Sequence, residues 1–191
     1  FCCACQSENG DSSQIKVVCA GFAEYDWTRN ITNIVPDRVS VTYLFDDGSD
    51  PHSFQPSISD IATVSDCDVF VYFGGTLNTW SDDVIKNAKN EDMIVVCLSD
   101  LFNGELLEAS NSSCNDEGGH EEEDHGHVHS GTDEHLWLSL LNAKRSTQAI
   151  CDALCKADPE NESNYISSTQ SYINKITDLH ERYLGITSAK C

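Results

Sequence analysis

The sequence predicts an α/β fold with a parallel four-stranded sheet flanked by helices. Short apolar runs of strand length alternate along the chain with segments whose apolar residues recur at helical spacing. Such alternation is typical of parallel sheets that carry helices on both faces. The predicted strands are 15–21, 39–45, 68–73 and 93–98, and the helices between them are 22–35, 57–64 and 77–88.

Breakers and caps delimit the helices of this first part. The helix at 22–35 stops at Pro36, because proline lacks the backbone N–H that a helix interior requires. Ser57 and Asp60 form a candidate capping pair at the start of the next helix. In parallel sheets ligands bind beyond the carboxyl ends of the strands, so the residues that follow strands are the first candidates for a site.

Two further helices are predicted after residue 135. The segment 136–157 is amphipathic, and Asp158-Pro159 interrupts it. The segment 161–184 contains no proline or glycine, and we expect its helix to end at Gly185. A helix of that length could span a small domain, which suggests a connector to a further unit.

The composition favours cations as partners. The chain carries 32 acidic residues against 11 basic ones, a formal net charge of −21. This charge excludes nucleic acid and anionic membrane surfaces, because both need clustered lysine and arginine. No apolar run approaches the length of a membrane span.

The first fourteen residues are predicted to be a signal remnant followed by a polar tether. Ala4-Cys5 resembles a bacterial lipoprotein processing site, which predicts export and a lipid anchor on Cys5. The alternative is a trimmed end with exposed thiols. Elsewhere, Cys151 and Cys155 share one helix face; direct pairing would be strained, so separate partners or free thiols are expected.

The segment 118–137, GGHEEEDHGHVHSGTDEHLW, is the strongest sign of metal chemistry. Its early part has almost nothing apolar to bury, so residues 115–131 are predicted to form an acidic loop. Imidazole is the commonest transition-metal ligand, and carboxylates add charge and ligand atoms. We therefore predict a metal-collecting loop; the alternative is a solvated acidic loop that chelates metal only incidentally. The candidate ligands in the segment are His120, His125, His127, His129 and His135.

His52 is a second candidate ligand far away in sequence. It follows the second predicted strand, and His135 begins an apolar segment directly after the histidine-rich loop. Zinc prefers about four ligands from histidine, cysteine or carboxylate. The two histidines could share one ion if both lie at the carboxyl edge of the sheet.

Several segments, in order, resemble the metal-binding solute receptors of bacterial ABC importers. The sequence DPHSFQPSISD at 50–60 is similar to that family's D-P-H segment, and DEHLWL at 133–138 is similar to its D-P-H-[IVL]-W segment. Between them, DCDVFVYFGG at 66–75 and LNTW at 77–80 match its Tyr-Asn-Gly strand and the following Leu-Glu-x-Trp. DPEN at 158–161 matches the start of its long backbone helix.

The resemblance implies two α/β lobes joined by a long helix, with the metal bound between them. His52 and His135 would be the ligands of the first lobe, residues 15–157, and 158–191 would be the backbone helix. The second lobe, which supplies the remaining ligands, is expected to be absent from this sequence. Glu134 replaces a common proline and could add a ligand. The histidine-rich loop resembles the zinc-uptake branch more than the manganese branch.

The function that follows is an exported zinc receptor, not an enzyme. Such a receptor would sit in the periplasm or at the cell surface, capture Zn²⁺ and pass it to an ABC permease in the membrane. The alternatives are a receptor for manganese or another divalent metal, and a metal-buffering or adhesion lipoprotein. A zinc hydrolase is disfavoured, because no H-E-x-x-H or comparable signature is present.

Overall fold

The computed structural model of the chain describes residues 14–45, 54–102 and 135–188. Its centre is one parallel sheet of four strands in the order β2-β1-β3-β4. This arrangement confirms the fold class expected from the sequence. The strands are β1 (Ile15–Cys19), β2 (Val39–Tyr43), β3 (Val69–Tyr72) and β4 (Ile94–Cys97).

The two faces of the sheet bury separate sets of side chains, as the alternation of a strand requires. Val17 and Cys19 of β1 point into one core layer, whereas Val18 points into the other. β3 is buried along its whole length, which explains its uninterrupted apolar sequence.

In the described ranges, five α-helices cover the sheet. Helices α1, α4 and α5 pack together on one face, and α2 and α3 supply the core of the other. Their bounds are α1 (Phe22–Thr32), α2 (Ile58–Ser65), α3 (Ser81–Lys86), α4 (Leu140–Ala157) and α5 (Glu162–Ser188). None of the helices in the described ranges is both long and apolar enough to cross a membrane.

The predicted helix starts were right where a cap was recognised. Ser57 and Asp60 form a reciprocal capping box at α2: the Asp60 N–H donates to Ser57 Oγ, and the Ser57 N–H donates to the Asp60 carboxylate at 2.8 Å. The predicted start at 136 was wrong. A turn of 3₁₀ helix (Leu136–Leu138) comes first, and α4 begins after Ser139, whose hydroxyl accepts from the Asn142 N–H.

Other predicted boundaries also differ from the structure. Helix α1 ends at Thr32 and not at 35, because a turn closed by the Val35 N–H and the Thr32 carbonyl precedes Pro36. Each strand is two residues shorter than predicted.

The segment 77–88 contains a 3₁₀ turn (Gly75–Asn78) and then the short helix α3, because the Asn78 side chain accepts the Gly74 N–H and closes a tight turn. Gly185 does not end α5, which continues to Ser188. An exposed glycine costs only about 1 kcal/mol in a helix interior, so it weakens a helix without terminating it.

A buried polar network joins the amino end of β2 to the junction of α4 and α5. The Arg38 guanidinium makes two hydrogen bonds of 3.0 Å to the Asp158 carboxylate, which is almost inaccessible to solvent. Tyr165 Oη donates to the same carboxylate at 2.8 Å, and Asn161 donates at 2.9 Å. Arg38 holds the pKa of Asp158 below its ordinary value, because a paired carboxylate favours its charged form.

Candidate metal centre

The strand order places a crevice at the carboxyl edge of the sheet, between β1 and β3. The chain leaves β1 through α1 towards β2, and afterwards builds β3 and β4 on the opposite side of β1. Such a reversal of strand order opens a cleft where ligands bind in doubly wound α/β proteins. The residues that border this cleft are therefore the candidate site.

The structure places His135 at the carboxyl end of β3. Phe73 follows β3 directly, and the Trp137 ring packs edge-on against it with centroids 5.1 Å apart. The imidazole of His135 lies 5.2 Å from the same indole. These three rings, Phe73, Trp137 and His135, form what we call the edge stack. It carries an exposed imidazole at the border of the cleft.

Hydrogen bonds to backbone carbonyls fix the turn that carries His135. The His135 carbonyl accepts from the Leu138 N–H at 3.1 Å, which closes the 3₁₀ turn. The Asn142 side chain then donates to the Leu136 carbonyl at 3.2 Å and ties the turn to the first residues of α4. The imidazole is thus presented by a turn with few free torsions, as a ligand site requires.

The carboxyl end of β2 carries a cluster of aromatic side chains. Phe45 follows β2, and the Phe54 ring packs on it with centroids 4.1 Å apart. Phe54 also contacts Trp80, which joins it to the core beneath α2 and α3. His52 stands two positions before Phe54 in the chain and lies outside the described residues.

The other predicted ligands also lie outside the described ranges. These are His120, His125, His127 and His129, together with the whole segment 103–134. In the three ranges that the structure describes, no group of three or more histidine, cysteine or acidic side chains could hold a metal ion. His135 is thus the one candidate ligand that the described part of the chain places at the cleft.

Glu24 is a residue at the β1 side of this edge that the sequence analysis did not single out. It lies in the first turn of α1, three residues after Gly21, and its side chain folds back over that glycine. Only 5% of it is exposed, and burial raises the pKa of its carboxyl group to about 7. Its position three residues after the helix cap was the available signal, since acids there fold back on the first turn.

Gly74 and Gly75 shape the edge beside the stack. Gly74 has a φ of 95°, and a Cβ there would meet Cys97 Sγ and Ser99 Oγ at 2.7 and 2.5 Å. A polar hollow of about 350 Å³ lies next to this turn, lined by Tyr72, Asn78 and Asp100 among others. Burial raises the pKa of Tyr72, so its phenol stays protonated.

A known family covers nearly the whole chain. The family described as "ZnuA: Zinc-uptake complex component A periplasmic" matches residues 17–189. The chain belongs to this family. Its description names a component of a zinc-uptake complex and not an enzyme, which confirms the expectation from the sequence.

Curated relatives carry metal-binding names. The zinc-binding protein AdcA of Streptococcus pyogenes is 29% identical over 182 residues, which make up 92% of this chain and 34% of that protein. The manganese-binding lipoprotein MntA of Halalkalibacterium halodurans is 30% identical over 151 residues, 79% of this chain and 43% of that protein. The chain therefore spans less than half the length of both relatives.

Solved structures share the fold. The metal-dependent lipoprotein YcdH of Bacillus subtilis superposes with a TM-score of 0.71 at 26% identity, covering 89% of this chain and 55% of YcdH. Zn(II)-bound AdcA of Streptococcus pneumoniae gives a TM-score of 0.69 at 22% identity, covering 90% of this chain and 32% of AdcA. The sheet and the long helix described above thus match this receptor fold.

Proposed function

We propose that the chain is the first lobe and backbone helix of an exported zinc receptor that delivers Zn²⁺ to an ABC permease. The observation that carries the proposal is the edge stack, which presents the His135 imidazole at the cleft of a ZnuA-family fold. Neutral imidazole binds zinc well, whereas manganese prefers oxygen ligands. AdcA relatives named for zinc binding support zinc as the cargo.

His52 is the proposed partner of His135. It precedes Phe54, whose ring is anchored on Phe45 at the carboxyl end of β2, on the same edge of the sheet. Two imidazoles satisfy half of a tetrahedral zinc site, so the remaining ligands would come from a second lobe. The greater length of the relatives is consistent with such a lobe.

Exposed apolar side chains at this edge support a lobe that faces it. Phe22, Ile58 and Leu138 each lie at or near the start of a helix that follows the carboxyl edge, and each is at least 66% exposed. Apolar side chains gathered around a site favour contact with another protein surface. A second lobe closing over the bound ion would bury them.

The histidine-rich loop is proposed to collect zinc rather than to hold it tightly. Four consecutive acids separate His120 from His125, His127 and His129, in a chain of net charge −21, and this negative charge raises the local concentration of cations. Several zinc ions bound weakly by these histidines would then exchange with the ion at the His52–His135 site. Export to the periplasm or the cell surface, with an anchor on Cys5, completes the proposal; a lipoprotein relative such as MntA supports it.

A competitive Zn²⁺/Mn²⁺ titration of the chain tests the proposal. We expect several zinc equivalents and at least tenfold weaker manganese binding. Deletion of residues 116–130 should remove the weakly bound zinc ions and leave one bound ion. His52→Ala or His135→Ala should then lower the affinity for that ion at least tenfold. His180→Ala, on α5, is the matched control and should change nothing. Equal manganese affinity, or loss of every equivalent on loop deletion, would contradict the proposal.

A further inference from the structure

A pair of thiols lies at the opposite end of the molecule from the candidate zinc site. Cys151 and Cys155 occupy successive turns of α4, and their sulfur atoms are 4.0 Å apart. Cys155 is within the last three residues of the helix, about 22 Å along its axis from Leu140. The Arg38–Asp158 network at the amino end of β2 is close by, so the pair lies near the amino edge of the sheet.

The two thiols differ in access to solvent. Cys151 is 1% exposed and belongs to the core between the sheet and α5, whereas Cys155 is half-buried. The Cys155 thiol also donates to the Glu162 carbonyl at the start of α5, at 3.9 Å. An ion can thus reach the pair from solvent on the Cys155 side, and Cys151 supplies the second sulfur from the protein core.

From this geometry we propose that Cys151 and Cys155 together bind one soft divalent cation, of the class of Cd²⁺ and Hg²⁺. Zinc–thiolate bonds are about 2.3 Å and those of the larger Cd²⁺ about 2.5 Å, so a sulfur separation of 4.0 Å corresponds to an S–Cd–S angle of about 105°, close to tetrahedral. No large side-chain movement is needed. Thiolate is the ligand that soft cations prefer over imidazole and carboxylate.

The charge balance selects a divalent ion. Binding breaks two S–H bonds, releases two protons to solvent and forms two metal–sulfur bonds, so a divalent cation leaves a neutral complex. A monovalent ion would leave a negative charge beside Asp152 and Glu162, whose charges already act on Cys155. Burial raises the pKa of the Cys155 thiol to about 12, so this thiol carries its proton until a metal displaces it.

The pair differs from a structural zinc site in the number of protein ligands that it offers. Structural zinc takes four protein ligands, and the part of the chain that the structure describes contains no group of three or more suitable side chains. Soft ions can be held by two sulfurs with water completing the sphere. A disulfide is the competing outcome, but it would need the sulfurs to approach to about 2 Å across a helix rise of about 6 Å.

The test uses cadmium, because its thiolate complexes absorb in the ultraviolet and its histidine complexes do not. The background is the full chain with serine at Cys2, Cys3, Cys5, Cys114 and Cys191. Anaerobic Cd²⁺ titration should give a thiolate absorption that saturates at one equivalent. Cys155→Ser should weaken that binding at least tenfold and remove more than half of the absorption.

Two controls keep the result interpretable. Cys97→Ser, on β4 and also half-buried, should retain the absorption in full. Cys151→Ser should behave like Cys155→Ser, and circular dichroism checks that both variants fold. If the background variant does not fold, the unmodified chain should lose one thiolate-bound equivalent on Cys155→Ser. Unchanged absorption in Cys155→Ser, or none in the background protein, would overturn the proposal.

Discussion

Glu24 shows how one buried carboxyl group affects the stability of this edge of the molecule. In the folded chain burial raises its pKa from 4.5 to about 7, so between these values the folded state keeps a proton that the unfolded state has lost. The contribution of Glu24 to stability is therefore most favourable below pH 4.5 and falls as the pH rises to 7. The slope is about 1.4 kcal/mol per pH unit, or about 3 kcal/mol in total.

Glu24→Gln should remove this loss. We expect the variant to unfold at higher urea concentration than the parent at pH 8 and at a similar one near pH 4, because glutamine carries no ionisable proton. Urea unfolding at four or more pH values measures the difference. Glu91→Gln is the control, an exposed acid that should leave the pH dependence unchanged. Parallel stability curves for Glu24→Gln and the parent would contradict the assignment.

At the scale of elements, the Gly-Gly turn after β3 positions the edge stack. Gly74 adopts a backbone conformation that L-residues rarely enter, and Cys97 and Ser99 occupy the space beside it. Gly185 has neither constraint: it lies inside α5 with open space around it. The two glycines should therefore respond oppositely to alanine.

Gly74→Ala should lower the free energy of unfolding by about 2–3 kcal/mol, from backbone strain and the contact with Ser99. Gly185→Ala should raise it by about 0.5–1 kcal/mol, because alanine loses less entropy in a helix. Denaturant unfolding of both variants gives the comparison. No loss of stability in Gly74→Ala would contradict the described turn, and loss of stability in Gly185→Ala would contradict a helix at residue 185.

The Asp158 network is the second element-scale feature, since it ties β2 to the start of α5. Asp158→Ala should cost about 3 kcal/mol, because it leaves the Arg38 guanidinium and the Tyr165 hydroxyl without their shared acceptor. Asp66→Ala is the matched control: its ion pairs to Lys16 and Lys89 are exposed, and a much smaller change is expected. Thermal unfolding compares the two, and equal effects would contradict the structural role.

Sequence patterns predicted the elements better than their ends. The capping box of Ser57 and Asp60 was readable because both side chains act within four residues. The predicted start of α4 was wrong because residues 136–138, which include Trp137 of the edge stack, form a separate 3₁₀ turn, and Ser139 caps α4 only after that turn. Glu24 was not recognised as a buried carboxyl, because its position three residues after Gly21 indicates a side chain that folds back on the first turn of α1 but not how far that side chain is buried.

At the scale of the whole molecule, the chain has two chemically distinct ends. The carboxyl edge of the sheet carries His135, the cleft and exposed apolar side chains, whereas the other end carries the buried Asp158 network and the thiol pair. Sequence reasoning singled out His52 and His135 from their places after a predicted strand and after the histidine-rich loop, and the resemblance to a known family implied both as ligands. The shared edge of the sheet that would bring them to one ion depends on strand order, which local sequence does not encode.

The central claim is that His52 and His135 bind the same zinc ion. Nitrogen-15 NMR of the imidazoles tests it most directly, in the chain with residues 116–130 deleted so that the loop histidines do not compete. We predict that His52 and His135 shift together on zinc addition, with one shared dissociation constant, while His180 stays unchanged. Different dissociation constants for the two, or no shift at His135, would contradict the claim.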